Sequence, residues 1–299
     1  MRRSEPVRVL AAPRARTRQR GMRRRTAAGV GFALPAVVLL AVFAIYPIAQ
    51  VFALSFFDYN LTSPPEYVGS GNYEFLASDP RFTDALTQTL IYTLGTYVPA
   101  LVLALCLAQV LSSRHLGSGL TRLMFFLPVA ISWVAASIIW RVVLSPDGPL
   151  NQILHVDVNW LTSSAAAPWA LILMSVWKET GFFLILFLAG LLGIPGDVYE
   201  AARLDGANAW QRMRYVTLPL LRPMTAVCVV TATLRGFQSF SPQVVMTGGS
   251  FGTEVVNLFV YKTAFESARM GRASAVAVLM FFLLVAIAMV QMAALRKAD

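Results

Sequence analysis

The sequence predicts an all-α polytopic membrane protein with six transmembrane helices and a helix–glycine–helix loop between spans four and five. Three observations lead to this fold class. Of the 299 residues, 57% are hydrophobic and only 13% are charged, whereas a soluble domain has about 25% charged residues. Long uncharged runs recur along the chain, and the arginines are concentrated in alternate segments between these runs. This combination excludes a soluble domain with an ordinary surface and also excludes a disordered chain.

Six apolar runs have about the length of a membrane span. A hydrocarbon core about 30 Å thick requires about 20 apolar residues of helix. The runs are 27–57, 85–111, 123–140 with an extension to 144, 168–194, 216–246 and 273–295. Each is continuous and rich in Leu, Ala and Val, whereas barrel strands show about ten residues of alternation. Because only a helix satisfies its own backbone within lipid in such a pattern, we expect six helices.

The arginine distribution predicts the orientation. Residues 1–25 contain ten arginines, and four alternate segments together hold 18 of the 25 basic residues. The loop 58–84 has five acidic residues against Arg81. The positive-inside rule then places both termini in the cytoplasm. We therefore expect a disordered, Arg-rich cytoplasmic tail over 1–25 and a transmembrane domain over 26–299. Since topology accounts for the net charge of +10, nucleic-acid binding is not expected.

Motifs for catalysis, metal binding and nucleotide binding are missing from the sequence. The lysines are Lys178, Lys262 and Lys297, and none follows a glycine, so the phosphate-binding loop G-x-x-x-x-G-K-[ST] is absent. The two histidines, His115 and His155, stand apart, and both cysteines lie in apolar runs. We expect no catalytic residues, no metal and no cofactor in this chain, and hence no enzyme. An intramembrane hydrolase would need a paired nucleophile and base. A self-contained secondary transporter would show an internal repeat, which we do not find.

The loop between the fourth and fifth runs is longer than a connector needs to be. Pro195 ends the fourth run, Asp197 can cap a short helix, and Glu200 would lie in the first turn of that helix. Gly206 permits a left-handed break, and a second, amphipathic helix over 207–215 follows. This arrangement is consistent with a compact knob for another protein. It is equally consistent with a linker that lies on the lipid headgroups.

At this loop the sequence resembles the membrane subunits of binding-protein-dependent, ATP-driven importers. Their signature is E-A-A, three residues, G, nine residues, then aliphatic-x-L-P. It matches Glu200-Ala201-Ala202, Gly206 and Val216-Thr217-Leu218-Pro219. Other stretches, among them Phe125-Phe126-Leu127-Pro128, resemble the carbohydrate-uptake branch, of the maltose and glycerol-3-phosphate type. Ser250 stands where that branch often has proline.

The resemblance implies a permease subunit for sugars or sugar-like solutes in the bacterial cytoplasmic (inner) membrane. It would form a heterodimer with a second, homologous permease subunit. An extracytoplasmic solute-binding protein would deliver the solute, and two ATPase subunits would bind ATP and Mg²⁺ on the cytoplasmic side. The residues that would dock in the ATPase are Glu200, Ala201, Ala202, Leu204, Asp205 and Gly206. Glu200 and Asp205 could pair with basic groups there, the alanines allow close approach, and Gly206 forms the elbow.

Ionisable residues within the runs point to a second site. Such residues are costly in a membrane and usually face the bundle interior or water. Lys178, Glu179 and Arg235 either form a structural ion pair or border a wet cavity, and the sequence leaves both interpretations open. By position from the loop motif, the family's substrate path implies Ser175, Trp177, Lys178, Glu179, Phe182, Arg235, Gln238 and Ser239. Trp177 and Phe182 could stack on sugar faces or simply pack between helices. A cation on the path keeps a glycerol-3-phosphate or glycerophosphodiester importer as the alternative.

Overall fold

The computed structural model describes residues 32–112 and 118–296, and these are mainly helical. The predicted tail over 1–25 lies outside the described residues. The chain divides into two compact units at Ala53 and Leu54. The described residues of the first unit, 32–53, all belong to α1 (Phe32–Leu54), which contains a π-helical turn at Ala41–Ile45. This turn lies just before Pro47, whose ring cannot be accommodated in a regular helical ladder.

The second unit begins with a short hairpin. Strand β1 (Phe57–Asp58) pairs antiparallel with β2 (Glu66–Tyr67), with Phe57 opposite Tyr67. The next element is α2 (Gly71–Ser78). Asn72 on this helix donates hydrogen bonds of 2.9 Å to the carbonyl oxygens of Ser55 and Phe57. The Asn72 side chain therefore holds α2 against β1 and the residues just before β1.

The remaining helices follow in chain order. They are α3 (Pro80–Ser112), α4 (Ser118–Ala130), α5 (Trp133–Val143), α6 (Pro149–Leu154), α7 (Ala167–Leu192), α8 (Gly196–Leu204), α9 (Ala209–Leu220), α10 (Arg222–Phe237), α11 (Ser241–Thr247), α12 (Val256–Tyr261) and α13 (Met270–Arg296). Helix α9 contains a π-helical turn at Met213–Thr217, and a further π-helical turn, Lys262–Glu266, extends α12.

Among the described residues, four helices are long and apolar enough to cross a membrane, namely α1, α3, α7 and α13. Two further candidate spans are bent pairs. Helices α4 and α5 meet at 106°, and α9 and α10 meet at 70°. Counting each pair as one span gives six, which is consistent with the predicted fold class.

The predicted runs 123–140 and 216–246 are not single helices, and here the sequence-based bounds were wrong. Pro128 lies in the last turn of α4, where it cannot donate a backbone hydrogen bond. The Ser132 hydroxyl then caps α5 by accepting a 3.2 Å hydrogen bond from the Ala135 N–H. The later run breaks twice, at Leu221 between α9 and α10 and again after Phe237. Apolar composition alone carries no signal for these breaks.

The centre of the second unit is the pair α3 and α7. The two helices run parallel, since Gln109 and Ser112 at the end of α3 line the same cavity as Leu191 at the end of α7. A fully buried stripe of Ala100, Ala104 and Ala108 on α3 belongs to the core cluster shared with α7 and α10. Small residues at this spacing let helix backbones approach closely. A Cβ added at Gly236 of α10 would overlap Thr93 of α3, so α10 also crosses α3 at short range.

Candidate functional site

Two charged residues predicted from the sequence form an ion pair between α7 and α10. The Arg235 guanidinium donates hydrogen bonds to Glu179 Oε1 through Nη2 at 2.9 Å and through Nε at 3.2 Å. The Tyr97 hydroxyl of α3 also donates to this oxygen, at 3.5 Å. Glu179 is only 1% exposed, whereas the Arg235 side chain is 36% exposed. The pair is therefore anchored in the core and is open on the arginine side.

The same pair lines a cavity of about 290 Å³. The lining residues are Tyr97, Trp133, Glu179, Arg235, Gln238, Ser239, Phe240, Ser241 and Pro242. They come from α3, α5, α7, α10, the connection 238–240 and the start of α11. In the structure, Glu179 and Arg235 form an ion pair that also borders a cavity, and a contact of either residue with solute stays a prediction.

One oxygen of the ion pair is left over. Glu179 Oε2 is buried and has no hydrogen-bond partner among the described residues. Leaving a buried acceptor unsatisfied costs about 1–3 kcal/mol, and more for a charged group. The guanidinium, in contrast, is well supported, since its central carbon lies 4.4 Å from the centre of the Phe182 ring. The ion pair thus contains one buried carboxylate oxygen that has no donor. The neighbouring Arg235 guanidinium already contacts the Phe182 ring on one face and Glu179 on one edge.

The structure separates the predicted substrate-path residues. Glu179, Arg235, Gln238 and Ser239 line the cavity, and Phe182 supports the arginine from below. Ser175 and Trp177 do not line it. Ser175 is fully buried and shares a 2.9 Å hydrogen bond with the Tyr92 hydroxyl. The Trp177 ring packs against the Trp140 ring at 5.7 Å between centroids, which corresponds to the packing interpretation.

Lys178 is next to Glu179 in the sequence but does not join the ion pair. Its ammonium group donates hydrogen bonds to the carbonyl oxygen of Pro128 at 2.8 Å and to that of Ile131. Successive residues on a helix point about 100° apart, so the two side chains contact different neighbours. Lys178 therefore lies at the break between α4 and α5 and not among the cavity-lining residues.

The sequence analysis missed three aromatic side chains of the cavity. Tyr97 lies in the uncharged run of α3, Trp133 is the first residue of α5, and Phe240 lies between α10 and α11. Aromatic residues inside apolar runs give the same signal whether they pack or line a site. The position of Trp133 directly after the Ser132 cap is the one local clue, since the first turn of a helix borders a break.

The predicted helix–glycine–helix loop is present with small differences in its bounds. Helix α8 begins at Gly196 after Pro195, and no side chain caps it. The predictions that Asp197 caps this helix and that Glu200 lies in its first turn were wrong, because the helix starts before Asp197. Gly206 has a φ of +77°, as the left-handed break requires. The second helix begins at Ala209 and not at 207.

The start of α9 is fixed by a capping box. The Asn208 side chain accepts a 2.9 Å hydrogen bond from the Gln211 N–H, and the Gln211 side chain accepts a 2.8 Å bond from the Asn208 N–H. This reciprocal pattern is a standard way to satisfy the first N–H groups of a helix. Arg212 further donates a 2.7 Å bond to the carbonyl oxygen of Ala207. The turn around Gly206 is thus closed by local hydrogen bonds.

The elbow, defined here as residues 196–212, presents apolar and acidic side chains outward. Leu204 is 90% exposed, and Glu200, Ala201 and Asp205 are also exposed. At its base the elbow adjoins a cavity of about 470 Å³ that is lined by Gln109 of α3 and Leu191 of α7, among others. An isolated exposed leucine is ordinary. On a short helix beside exposed carboxylates, however, it makes a surface with the composition of a small docking site.

Comparison with known proteins identifies the family. Residues 75–298 match the family model described as "Binding-protein-dependent transport system inner membrane component". The chain belongs to this family. The permease is 34% identical over 271 residues to the probable ABC transporter permease protein YesP of Bacillus subtilis (strain 168), with 87% of each chain covered. The resemblance seen at Glu200-Ala201-Ala202 and Gly206 is therefore confirmed.

Two relatives with named solutes support the carbohydrate-uptake branch. The trehalose transport system permease protein SugA of Mycobacterium tuberculosis (strain ATCC 25618 / H37Rv) is 35% identical over 250 residues, covering 83% of the permease and 81% of SugA. The lactose transport system permease protein LacF of Rhizobium radiobacter is 33% identical over 246 residues, covering 79% and 82%. The permease is thus similar over most of its length to sugar transport subunits.

A solved structure has the same fold. A chain of a bacterial ABC transporter involved in the import of the acidic polysaccharide alginate superimposes with a TM-score of 0.84, covering 94% of the permease and 99% of that chain. The sequences are 22% identical. This likeness supports the fold. The family model and the similar permease YesP, in turn, show that the chain is a membrane component of an ABC transport system.

Proposed function

We propose that this permease forms half of the translocation path of an ATP-driven importer for neutral sugars or sugar-like polyols. A second, homologous permease subunit supplies the other half of the path, and an extracytoplasmic solute-binding protein delivers the solute. Two ATPase subunits bind ATP and Mg²⁺ and hydrolyse the nucleotide, so this chain has no catalytic role. The relatives named for trehalose and lactose transport support the class of solute.

The observation that carries the proposal is the cavity around the Glu179–Arg235 pair. Its polar lining residues are Glu179, Arg235, Gln238 and Ser239. Its apolar groups are aromatic rings, including Trp133 and Phe240. A sugar ring combines hydroxyl groups on its edge with apolar C–H faces, which matches both sets.

The charge balance of the cavity favours a neutral solute over a phosphate ester. Arg235 already has a carboxylate at 2.9 Å, and an aromatic ring covers one face of its guanidinium. A phosphate group would have to compete with Glu179 for the same arginine, and the Glu179 carboxylate would repel the phosphate. Lys178, the other nearby cation, is bonded to helix carbonyls outside the cavity. No specific observation in the structure therefore favours the glycerol-3-phosphate or glycerophosphodiester alternative.

We further propose that the elbow is the contact with the ATPase. Glu200 and Asp205 are exposed and available for basic groups of the ATPase, while Leu204 and Ala201 provide a small apolar surface. The Tyr199 and Thr217 hydroxyls share a 3.2 Å hydrogen bond that joins α8 to α9. A push on the elbow is therefore passed to α9 instead of being lost in a flexible loop. ATP binding would favour one transport state because the ATPase holds the elbow differently in the two states.

The proposed orientation places the elbow and both termini in the cytoplasm of a bacterium. Arg203 and Arg212 lie in the elbow, and Arg214 and Arg222 follow within ten residues of its end. Basic residues are enriched on the cytoplasmic side of membrane proteins. The Arg-rich segment 1–25 would lie on the same side. A cysteine-accessibility assay with a membrane-impermeant maleimide tests this in the permease expressed without its ATPase subunits, since Leu204→Cys should then react in inverted vesicles and not in intact cells.

Uptake measurements test the class of solute. Cells that carry the complete importer are given labelled neutral disaccharides and, separately, labelled glycerol 3-phosphate. We expect uptake of a neutral sugar, and we expect Glu179→Gln to reduce it because the arginine loses its charged partner. Glu254→Gln is the matched control. Glu254 does not line the cavity, and its carboxylate forms an ion pair with Lys262 at an N–O distance of 3.2 Å. Uptake of glycerol 3-phosphate alone would contradict the proposal.

A further inference from the structure

Lys178 is a buried charge that the translocation path does not use. The residue is 5% exposed and lies near the middle of α7. Its ammonium group donates to the carbonyl oxygens of Pro128 and Ile131 and lies 5.1 Å from the centre of the Trp133 ring. These contacts place it against the break between α4 and α5. A buried charge is retained only where several groups stabilise it, and here all of these groups belong to one broken span.

The break between α4 and α5 needs such a group. The last four carbonyl groups of a helix have no partner within the helix. Helix α4 ends at Ala130, and α5 leaves at 106° to it, so the Pro128 and Ile131 carbonyls cannot be satisfied by a continuing ladder. A cation near the C-terminal end of a helix is also favourable for the helix dipole. Lys178 therefore satisfies two carbonyl groups and the dipole with one side chain.

Helix α7 is fitted to the break over one turn. Gly181 lies three residues after Lys178, and a Cβ added there would overlap the Phe125 carbonyl oxygen of α4. The two helices therefore touch backbone to backbone beside the lysine. Glu179 lies between these two residues but lines the cavity. One turn of α7 thus carries both the contact to the broken span and the carboxylate of the cavity.

We propose that Lys178 is a positioning residue that holds the 106° break between α4 and α5 and so sets Trp133 in the cavity wall. Trp133 is the first residue of α5 and lines the cavity. Opening of the break would therefore withdraw this ring from the wall. That the cavity binds solute rests on the proposed function, whereas the role of Lys178 in setting the angle between α4 and α5 does not.

A distance measurement across the break tests this role. Spin labels are attached at Met124→Cys on α4 and Val142→Cys on α5, where the native side chains are 68% and 62% exposed. Cys106 and Cys228 are replaced by serine. The full chain is expressed with its partner subunits and purified in lipid nanodiscs without added solute. With helix arms of about 11 and 16 Å, opening the break by about 20° lengthens the distance by about 3 Å.

We expect Lys178→Met to lengthen and broaden this distance distribution by at least that amount. Lys178→Arg should restore it, because a guanidinium can donate to both carbonyl groups. Lys262→Met, which removes a lysine from an ion pair elsewhere, should leave it unchanged. A lysine with a merely structural role would lower the melting temperature without moving the distance. An unchanged distribution in Lys178→Met would overturn the proposal.

A second variant covers the case in which Lys178→Met is not recovered from membranes. Lys178→Gln keeps an uncharged donor on a side chain one atom shorter, so it cannot reach both carbonyl groups. The same lengthening is expected, and its absence would overturn the proposal. Because no solute is present, this outcome is independent of the uptake experiments. If the native permease takes up a neutral sugar but the distance is unchanged in the Lys178 variants, only the role of Lys178 is refuted. If the distance lengthens but no neutral sugar is taken up, only the proposed function is refuted.

Discussion

Replacement of Gly206 by alanine tests the elbow with a change of one methyl group. Gly206 has a φ of +77°, and no atom lies within 4 Å of the position that a Cβ would take. The substitution therefore causes no clash, and its whole effect comes from the backbone conformation. For a residue with a side chain the left-handed conformation costs about 1–2 kcal/mol. That free energy lowers the equilibrium constant for forming the elbow about 5- to 30-fold.

The chain offers a matched control for this variant. Gly196 also lies in the elbow with no atom within 4 Å of its Cβ position, but its φ is not positive. Gly196→Ala should therefore transport at the rate of the native permease. Gly206→Asn should retain more activity than Gly206→Ala, since asparagine tolerates the left-handed conformation better than most residues.

Uptake rate at saturating solute and ATPase activity of the purified complex are the two readouts. We expect both to fall in Gly206→Ala, while the amount of permease in the membrane stays at the native level. Equal rates for Gly206→Ala, Gly196→Ala and the native permease would refute the reasoning. The result would mean that the left-handed turn is not needed for contact with the ATPase.

Three further outcomes are expected. Arg235→Met should destabilise the permease because it leaves the buried Glu179 carboxylate without its partner. The cost should lie toward the lower end of about 3–5 kcal/mol, since the arginine is 36% exposed. Adding Glu179→Gln should recover part of the lost stability, which thermal melts of the single and double variants would measure. Gly181→Ala should lower the melting temperature because its methyl group meets the Phe125 carbonyl, whereas Gly193→Ala, with only ordinary contacts, should not. Asn208→Ala should cost about 0.5–2 kcal/mol by removing the cap of α9, and faster amide exchange at the start of α9 would report it; unchanged exchange would contradict the capping role.

Span number and loop type could be predicted from the sequence because both depend on composition and spacing. The apolar runs gave six candidate spans, and the E-A-A spacing located the elbow. The breaks at Ile131 and Leu221 could not be predicted in the same way. They depend on where a single proline or hydroxyl falls within a run, and many prolines in apolar runs leave the helix continuous.

The candidate site was predictable only where charge was involved. Glu179 and Arg235 stand out because a charge within a span needs a reason to be there. Lys178 stands out equally, yet it contacts the break between α4 and α5 and not the cavity. Adjacency in sequence does not specify which neighbour a helical side chain contacts. Tyr97 and Trp133 have no signal in a single sequence that separates a cavity wall from ordinary packing. Their role becomes visible only when α3 and α5 are placed beside α7.

The 70° bend between α9 and α10 connects the two ends of the molecule mechanically. The elbow leads into α9, and Arg235 lies near the far end of α10, about 20 Å from the bend at 1.5 Å per residue. A pivot of about 10° at Leu221 therefore moves Arg235 along an arc of about 3.5 Å. The hydrogen bond from Arg235 to Glu179 is 2.9 Å long, so such a pivot breaks it unless α7 travels with α10. A small tilt that starts at the elbow is thus enough to break the ion pair between Arg235 and Glu179, which lies one helix length away.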